Sequence, residues 1–423
     1  MNDARSVRRQ IAEFVGSARM AQALSLSIIG AGFSTHLIRS LIGWPGLVAI
    51  IGALLVLSAA SLVARWRVVE WYGILPITIL VFVGWCAASV LWSDHPGTTL
   101  IRVGYLAAFA MLGVYVALMR DTIQIVRAFG DVMRLLLSLS LALEVLSGIL
   151  IDLPIAFLGI EGNLAALGPI QGVFGSRNFL GFVSIIALLT FVIEWRTRSV
   201  SRGRAIASVV IAGLCIVLAG SPTTWLAFAA AMLATLALYG LRRAEPATRW
   251  RWQVGIFSTA AVAIVVGWLL RVRIIELIDA RAEFDVRLDL WREMSRYLAL
   301  NPLQGWGWMG FWPKSTPYLW LQLGTGRQHG SGLSAWIDAY FQVGVIGALL
   351  FIALVGLALV RSWLLASARR SVVYVWPALM LVIVAVTSFA ESFALVEGGW
   401  MLVVICAVKA ARDMSWRDAM RRE

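Results

Sequence analysis

Residues 271–330 read RVRIIELIDARAEFDVRLDLWREMSRYLALNPLQGWGWMGFWPKSTPYLWLQLGTGRQHG, a polar stretch set between long apolar runs. It extends to about Gly332, and every other gap between apolar runs is read as short. The runs on either side decide the class. Each is on the order of 18–25 residues, enough for a helix to cross a hydrocarbon layer about 30 Å thick. Composition agrees, with 60% hydrophobic and 14% charged residues and a mean hydropathy of +0.84. Soluble domains carry about 25% charged residues. The sequence predicts an all-α polytopic membrane protein, a single helical domain over residues 1–423 with one extramembrane elaboration at 271–332.

About twelve transmembrane helices are expected, near 20–37, 43–64, 72–92, 100–118, 130–151, 178–194, 205–220, 223–240, 254–270, 333–360, 372–390 and 397–411. Arginines orient them, because short cytoplasmic loops are enriched in Lys and Arg. With the N-terminus inside, Arg65, Arg67, Arg120, Arg127, Arg196, Arg198, Arg202 and Arg204 fall on the cytoplasmic side. Arg242, Arg243, Arg249, Arg251, Arg361, Arg369 and Arg370 follow, and the C-terminal tail adds Lys409, Arg412, Arg417, Arg421 and Arg422. The opposite short loops hold only Arg39 and, at a span edge, Arg177. Both termini are therefore expected in the cytoplasm, and the long loop between helices 9 and 10 faces the periplasm or cell exterior of the inner membrane.

The net charge of +13 is spread over short loops rather than gathered on a soluble face, which argues against nucleic acid as a partner. Cys86, Cys215 and Cys406 lie in apolar runs and define no disulfide framework. The basic N-terminus lacks a small-residue cleavage site, so no removed signal peptide is expected.

Within the long loop, Phe284, Leu288, Trp291, Met294 and Leu298 are spaced for an amphipathic helix over Ile278–Leu300, suited to lying along the membrane surface. Asn301-Pro302 ends it, since proline cannot continue the hydrogen-bond ladder. GWGWMG at Gly305–Gly310 matches G-x-G-x-x-G by letter. It has no preceding strand, following helix or later acidic residue, so it reads as a turn with aromatic anchors.

The three histidines, His36, His95 and His329, have no metal-ligand spacing, and no metal or cofactor is expected. His95 reads as a solvated turn residue. His329, in GTGRQHGSG, stands about one turn before an apolar helix, at the mouth of any outer cavity. Arg177 in GVFGSRNFLG, Arg287 in DVRLDLW and Arg102 at the top of the fourth span supply forked donors suited to an anion near the headgroups. Lipid snorkelling is the simpler reading for Arg102. Glu144 sits in mid-span, as a proton-pathway residue or a hydrogen-bond acceptor. Asp338 and Glu391 fall at span ends, where hydration makes a carboxylate less informative.

VRLDLWREMSRYLALNPLQGWGWMGF resembles the R-x-x-x-W and P-x-x-G-x-G-x-x-x-F segment of the O-antigen ligase and polymerase superfamily, through Arg287, Trp291, Pro302, Gly305, Gly307 and Phe311. HGSGLSAWIDAYFQVGVIGALLF is similar to its H-x-x-x-L and G-x-x-G-x-x-x-F, through His329, Leu333, Gly344, Gly347 and Phe351. GVFGSRNFLG and SVLWSDHP resemble two further family stretches in the family order.

The resemblance implies a metal-independent glycosyltransferase of the outer membrane face. Its partners would be membrane lipids, a polyprenyl-diphosphate-linked glycan donor and a saccharide or glycolipid acceptor. It further implies His329 as catalytic base or acceptor-positioning group and Arg287 as diphosphate clamp, with Arg177, Asn178, Trp291 and Arg102 binding substrate. Inversion at the anomeric carbon follows if displacement is direct. Gly220-Ser221-Pro222-Thr223-Thr224 departs from a family turn that often carries arginine, leaving Arg177 or Arg102 to supply that charge. Ligase and polymerase share this chemistry and differ in acceptor. A lipid-linked glycan transporter or flippase is the alternative from another class, although no related halves are visible. An envelope scaffold would leave the Arg287 and His329 placement unexplained.

Overall fold

A computed structural model describes residues 13–66, 76–270, 273 and 281–413. The described residues are 80% helical, with no strand among them. Twelve helices carry the apolar segments: α1 (Ala18–Phe33), α2 (Thr35–Ala64), α3 (Ile77–Ala88), α4 (Pro96–Met119), α5 (Thr122–Val145), α6 (Arg177–Arg196), α7 (Arg202–Ala219), α8 (Pro222–Arg243), α9 (Arg249–Leu269), then α12 (Ala335–Ala368), α13 (Val375–Thr387) and α14 (Glu397–Asp413). The long loop contributes α10 (Arg281–Leu298) and α11 (Tyr318–Thr325). Eight of the described helices are long and apolar enough to cross a membrane. Arg67, Arg417, Arg421, Arg422 and the first part of the long loop, Ile278 included, lie outside the described residues.

Local chemistry sets the helix starts. Asp121 and Gln124 form a capping box at α5, and the Ser176 side chain accepts from Phe179 N at 3.1 Å to open α6. Ser221 caps α8, with Pro222 at its first position, where a missing N–H costs nothing. Packing then sorts the helices. Nearly every side chain of α14 from Glu397 to Ala410 is buried, between α4, α12, α13 and α1. The apolar residues of α9, such as Val262, Val265 and Leu269, point outward as a lipid-facing helix requires.

Connections gather at two ends. At one end Arg242 donates to the Arg369 carbonyl at 3.1 Å, Arg65 to the Gly16 carbonyl at 2.7 Å and Arg412 to the Leu118 carbonyl at 3.3 Å. The other end carries the long loop. There His36 Nε2 meets the Leu158 carbonyl at 3.2 Å, and the Trp92 indole donates to Gln304 O at 3.0 Å.

Three expectations change, and the choice left open at Glu144 is decided. His95 is no solvated turn residue, because its Nε2 lies 3.0 Å from the Thr316 carbonyl and ties the α3–α4 turn to the long loop. Glu144 takes the acceptor role: its Oε1 receives the backbone N–H groups of Gln171 at 3.0 Å and Gly172 at 2.8 Å. Those donors belong to a second long elaboration at the same end, Leu146–Ser176, built of short turns. The amphipathic helix is described over Arg281–Leu298, and its apolar face meets protein. Leu290, Met294 and Leu298 pack with Met309, Trp312, Tyr318, Leu321 and Phe341 in a small satellite core.

Two long helices break where the chain needs room. At Gly344 φ is 69° and ψ is −175° inside α12, a region open to glycine alone. A methyl there would run into the Leu303 carbonyl and Gln304 N. Gly344→Ala should lower the melting temperature in detergent by an amount equivalent to about 1–3 kcal/mol or more. Gly356→Ala, in the same helix with open space around it, should leave the melting temperature unchanged.

Candidate functional site

Arg287 lies one helical turn before Trp291 on α10, so both side chains leave the same face. Arg287 is 9% exposed. It pairs with Glu391 Oε1 at 3.2 Å and reaches the Ala390 carbonyl at 3.4 Å. The same carboxylate oxygen receives Asn178 Nδ2 from the first turn of α6 at 2.6 Å. Three separate elements meet on this one oxygen. Burial pushes the Glu391 carboxyl up, and the Arg287 charge and the Asn178 amide pull it back down. Asn178 Oδ1 is buried with no hydrogen-bond partner among the described residues. Arg177, beside it, is half-buried.

Trp291 carries the cluster towards His329. Its indole N–H donates to the Gly332 carbonyl at 2.8 Å. A few residues on, Ala335 N donates to Ser388 O at 2.9 Å and to Glu391 O at 3.1 Å. The loop holding His329 is thereby fastened both to the Arg287 helix and to the turn bearing its carboxylate.

His329 is 8% exposed, and its Nε2 lies 3.1 Å from Thr325 Oγ1. That hydroxyl also lies 2.8 Å from the Leu321 carbonyl and 3.4 Å from the Arg327 carbonyl. Burial, with the Arg327 charge, holds the imidazole below its ordinary 6.5 and favours the neutral form.

The GWGWMG turn is shaped by Gly305, Gly307 and Gly310, all at positive φ. Gln342 Oε1 on α12 accepts Met309 N and Gly310 N, each at 2.8 Å. Asp338, one turn earlier, accepts the Gln342 amide at 2.8 Å and the Trp312 indole at 2.9 Å. Trp312 N in turn donates to the Gly330 carbonyl at 3.1 Å, beside His329.

The structure thus brings Arg287, Asn178, Trp291 and the His329 loop into one connected region. Arg102 stands elsewhere at the same end, its guanidinium 5.5 Å from the ring of Trp44. Glu391, Glu397 and Arg39 are the residues that sequence reasoning missed. Glu397 opens α14, pairs with Arg39 and accepts the Tyr105 hydroxyl at 2.8 Å. The available signal was modest: an acidic residue at each end of ESFALVE, between two apolar runs. Among the described residues no three His, Cys, Asp or Glu side chains group as metal ligands.

A family model described as O-antigen ligase matches residues 207–352, about a third of the chain. The match takes in Arg287, Trp291 and His329 and leaves out Arg102, Arg177, Asn178, Glu391 and Glu397. It bears out the resemblance to the O-antigen ligase and polymerase superfamily. Together with the apolar helices it supports a membrane protein with a glycosyltransferase-like role in surface polysaccharide assembly. No curated protein matches the chain.

Removing one partner from a buried ion pair strands the other charge, at a cost of about 3–5 kcal/mol. Glu391→Ala should therefore lower the melting temperature sharply. The double variant Arg287→Met/Glu391→Leu should regain most of the loss, as thermal unfolding in detergent would report.

Proposed function

We propose that the chain is a glycosyltransferase of the outer face of the cytoplasmic membrane. It moves a glycan from a polyprenyl diphosphate to a saccharide hydroxyl. The observation that carries this reading is the Trp291–Gly332 hydrogen bond, which joins the helix of Arg287 to the loop of His329. On this reading one bound donor and its acceptor engage both.

The roles follow from charge. Departure of a polyprenyl diphosphate from the anomeric carbon builds negative charge on phosphate oxygens, and fixed cations stabilise it with no metal required. Arg287 is the clamp. Its pairing with Glu391 aims the guanidinium, a planar fork of the kind that suits phosphate oxygens. Arg177, at the α6 N-terminus, adds donors from the neighbouring element. The attacking hydroxyl gives its proton to the neutral imidazole of His329. The glycosidic bond forms as the bond to diphosphate breaks, with inversion for direct displacement. Ligase and polymerase remain the two forms of this reaction.

The face follows from the arginine-rich loops, which gather at the end away from the site and mark it as cytoplasmic. Purified protein in proteoliposomes with a lipid-linked glycan and an acceptor tests the reading. His329→Ala should lose about 10²–10⁴-fold in transfer while keeping its melting temperature. In wild type, kcat/KM should fall as pH drops through the His329 pKa, with a midpoint below 6.5, because protonation removes the base. Arg327→Ala, at an exposed position, removes one lowering charge and should move that midpoint up. Wild-type transfer by His329→Ala would overturn the assignment.

A further inference from the structure

The turn from Glu391 to Glu397 carries a carboxylate at each end, and the second borders a cleft outside the cluster just described. The cleft is a shallow one and lies between the N-terminal half of α4, the Trp308–Phe311 loop and the start of α14. Its charged and polar lining groups are Arg102, Tyr105 and Glu397.

Glu397 is fully engaged. It pairs with Arg39 and accepts the hydroxyls of Thr35 and Tyr105. Its charge is therefore balanced by Arg39, and Arg102 stands as the second cation beside a single carboxylate. Among the described residues Arg102 makes no hydrogen bond or ion pair. Its close neighbour is the Trp44 ring at 5.5 Å, which also takes Arg39 at 4.8 Å. A snorkelling arginine stretches along apolar surface towards bulk headgroups. Arg102 is instead folded over an indole at the rim of a cleft, with forked donors that lack an acceptor. Trp44 is 43% exposed and is flanked by exposed Leu41, Ile42 and Val48, so the cleft opens where the bundle meets lipid.

We propose that this cleft is a saturable subsite for a phosphoryl group carried on a membrane lipid, with Arg102 as its principal donor. The inference deepens the proposed function and rests on it for its use. A transferase joining two membrane-borne substrates needs a second seat, apart from the one at Arg287. The phosphoryl group can come from a polyprenyl-linked saccharide or from a phospholipid headgroup, and both present the same forked oxygens to a guanidinium.

The test uses the full-length chain labelled with 5-fluorotryptophan, in neutral phosphatidylcholine nanodiscs, with the Trp44 resonance assigned from its absence in Trp44→Phe. Farnesyl diphosphate is titrated in one arm, and phosphatidylglycerol is introduced in the other. The expected result is a saturable shift of the Trp44 resonance, with half-saturation weakened about tenfold or more in Arg102→Ala. Arg102→Lys, which keeps the charge and loses the fork, should fall between and shows that the fold survives substitution. Saturation by farnesyl diphosphate supports the subsite with a polyprenyl-borne ligand; saturation by phosphatidylglycerol supports it with a phospholipid. No shift, a shift that never saturates, or an unchanged response in Arg102→Ala overturns it. Arg287→Ala should keep the Trp44 response, so loss of transfer in that variant separates failure of the donor clamp from failure of this subsite.

Discussion

The buried contact among Arg287, Glu391 and Asn178 is the constraint on which the far end of the bundle depends. Helix α10, a turn between two buried helices and the first turn of α6 converge on one carboxylate oxygen. Each partner alone would be costly in a site so poorly hydrated. Together they hold a cation at the head of a helix bundle. The same helix face carries Trp291, whose bond to Gly332 fixes the loop behind it.

The rest of that end is a set of polar ties laid over apolar packing. Asp338 and Gln342, one turn apart on α12, hold the glycine- and tryptophan-rich turn through backbone and indole N–H groups. Glu144 does the same for the Leu146–Ser176 elaboration. Carboxylates and amides act here as acceptors for irregular backbone, which at membrane depth must be satisfied by protein. In the proposed chemistry this matters because the histidine and the arginine gain fixed positions without a soluble domain to hold them.

Much of the architecture was legible in the sequence. Apolar runs marked the helices, and the described part of each expected segment overlaps at least one, eight of them long and apolar enough to cross a membrane. The Asn301-Pro302 stop and the amphipathic spacing located α10 to within a few residues. Its partner was misjudged, because an apolar stripe is the same whether it meets lipid or a satellite core formed by Trp312, Tyr318 and Phe341. Arg287, Trp291 and His329 were visible through local motifs. Glu391 and Glu397 were not, since their arginine partners are 104 and 358 residues away in the chain. A single carboxylate at the end of an apolar run looks solvated until its distant partner is placed. His95 and Glu144 were undervalued for a related reason, as both bind backbone atoms that no side-chain pattern announces.

The central claim is that Glu391 serves transfer through Arg287, as the group that holds the cation in place. A double-mutant cycle on transfer rate in proteoliposomes addresses it directly, using Arg287→Ala, Glu391→Ala and the pair. The account predicts that Glu391→Ala slows wild type strongly and slows the Arg287→Ala background no further. Losses that multiply across the pair, or a wild-type chain that forms no glycosidic bond from a lipid-linked glycan, would contradict it.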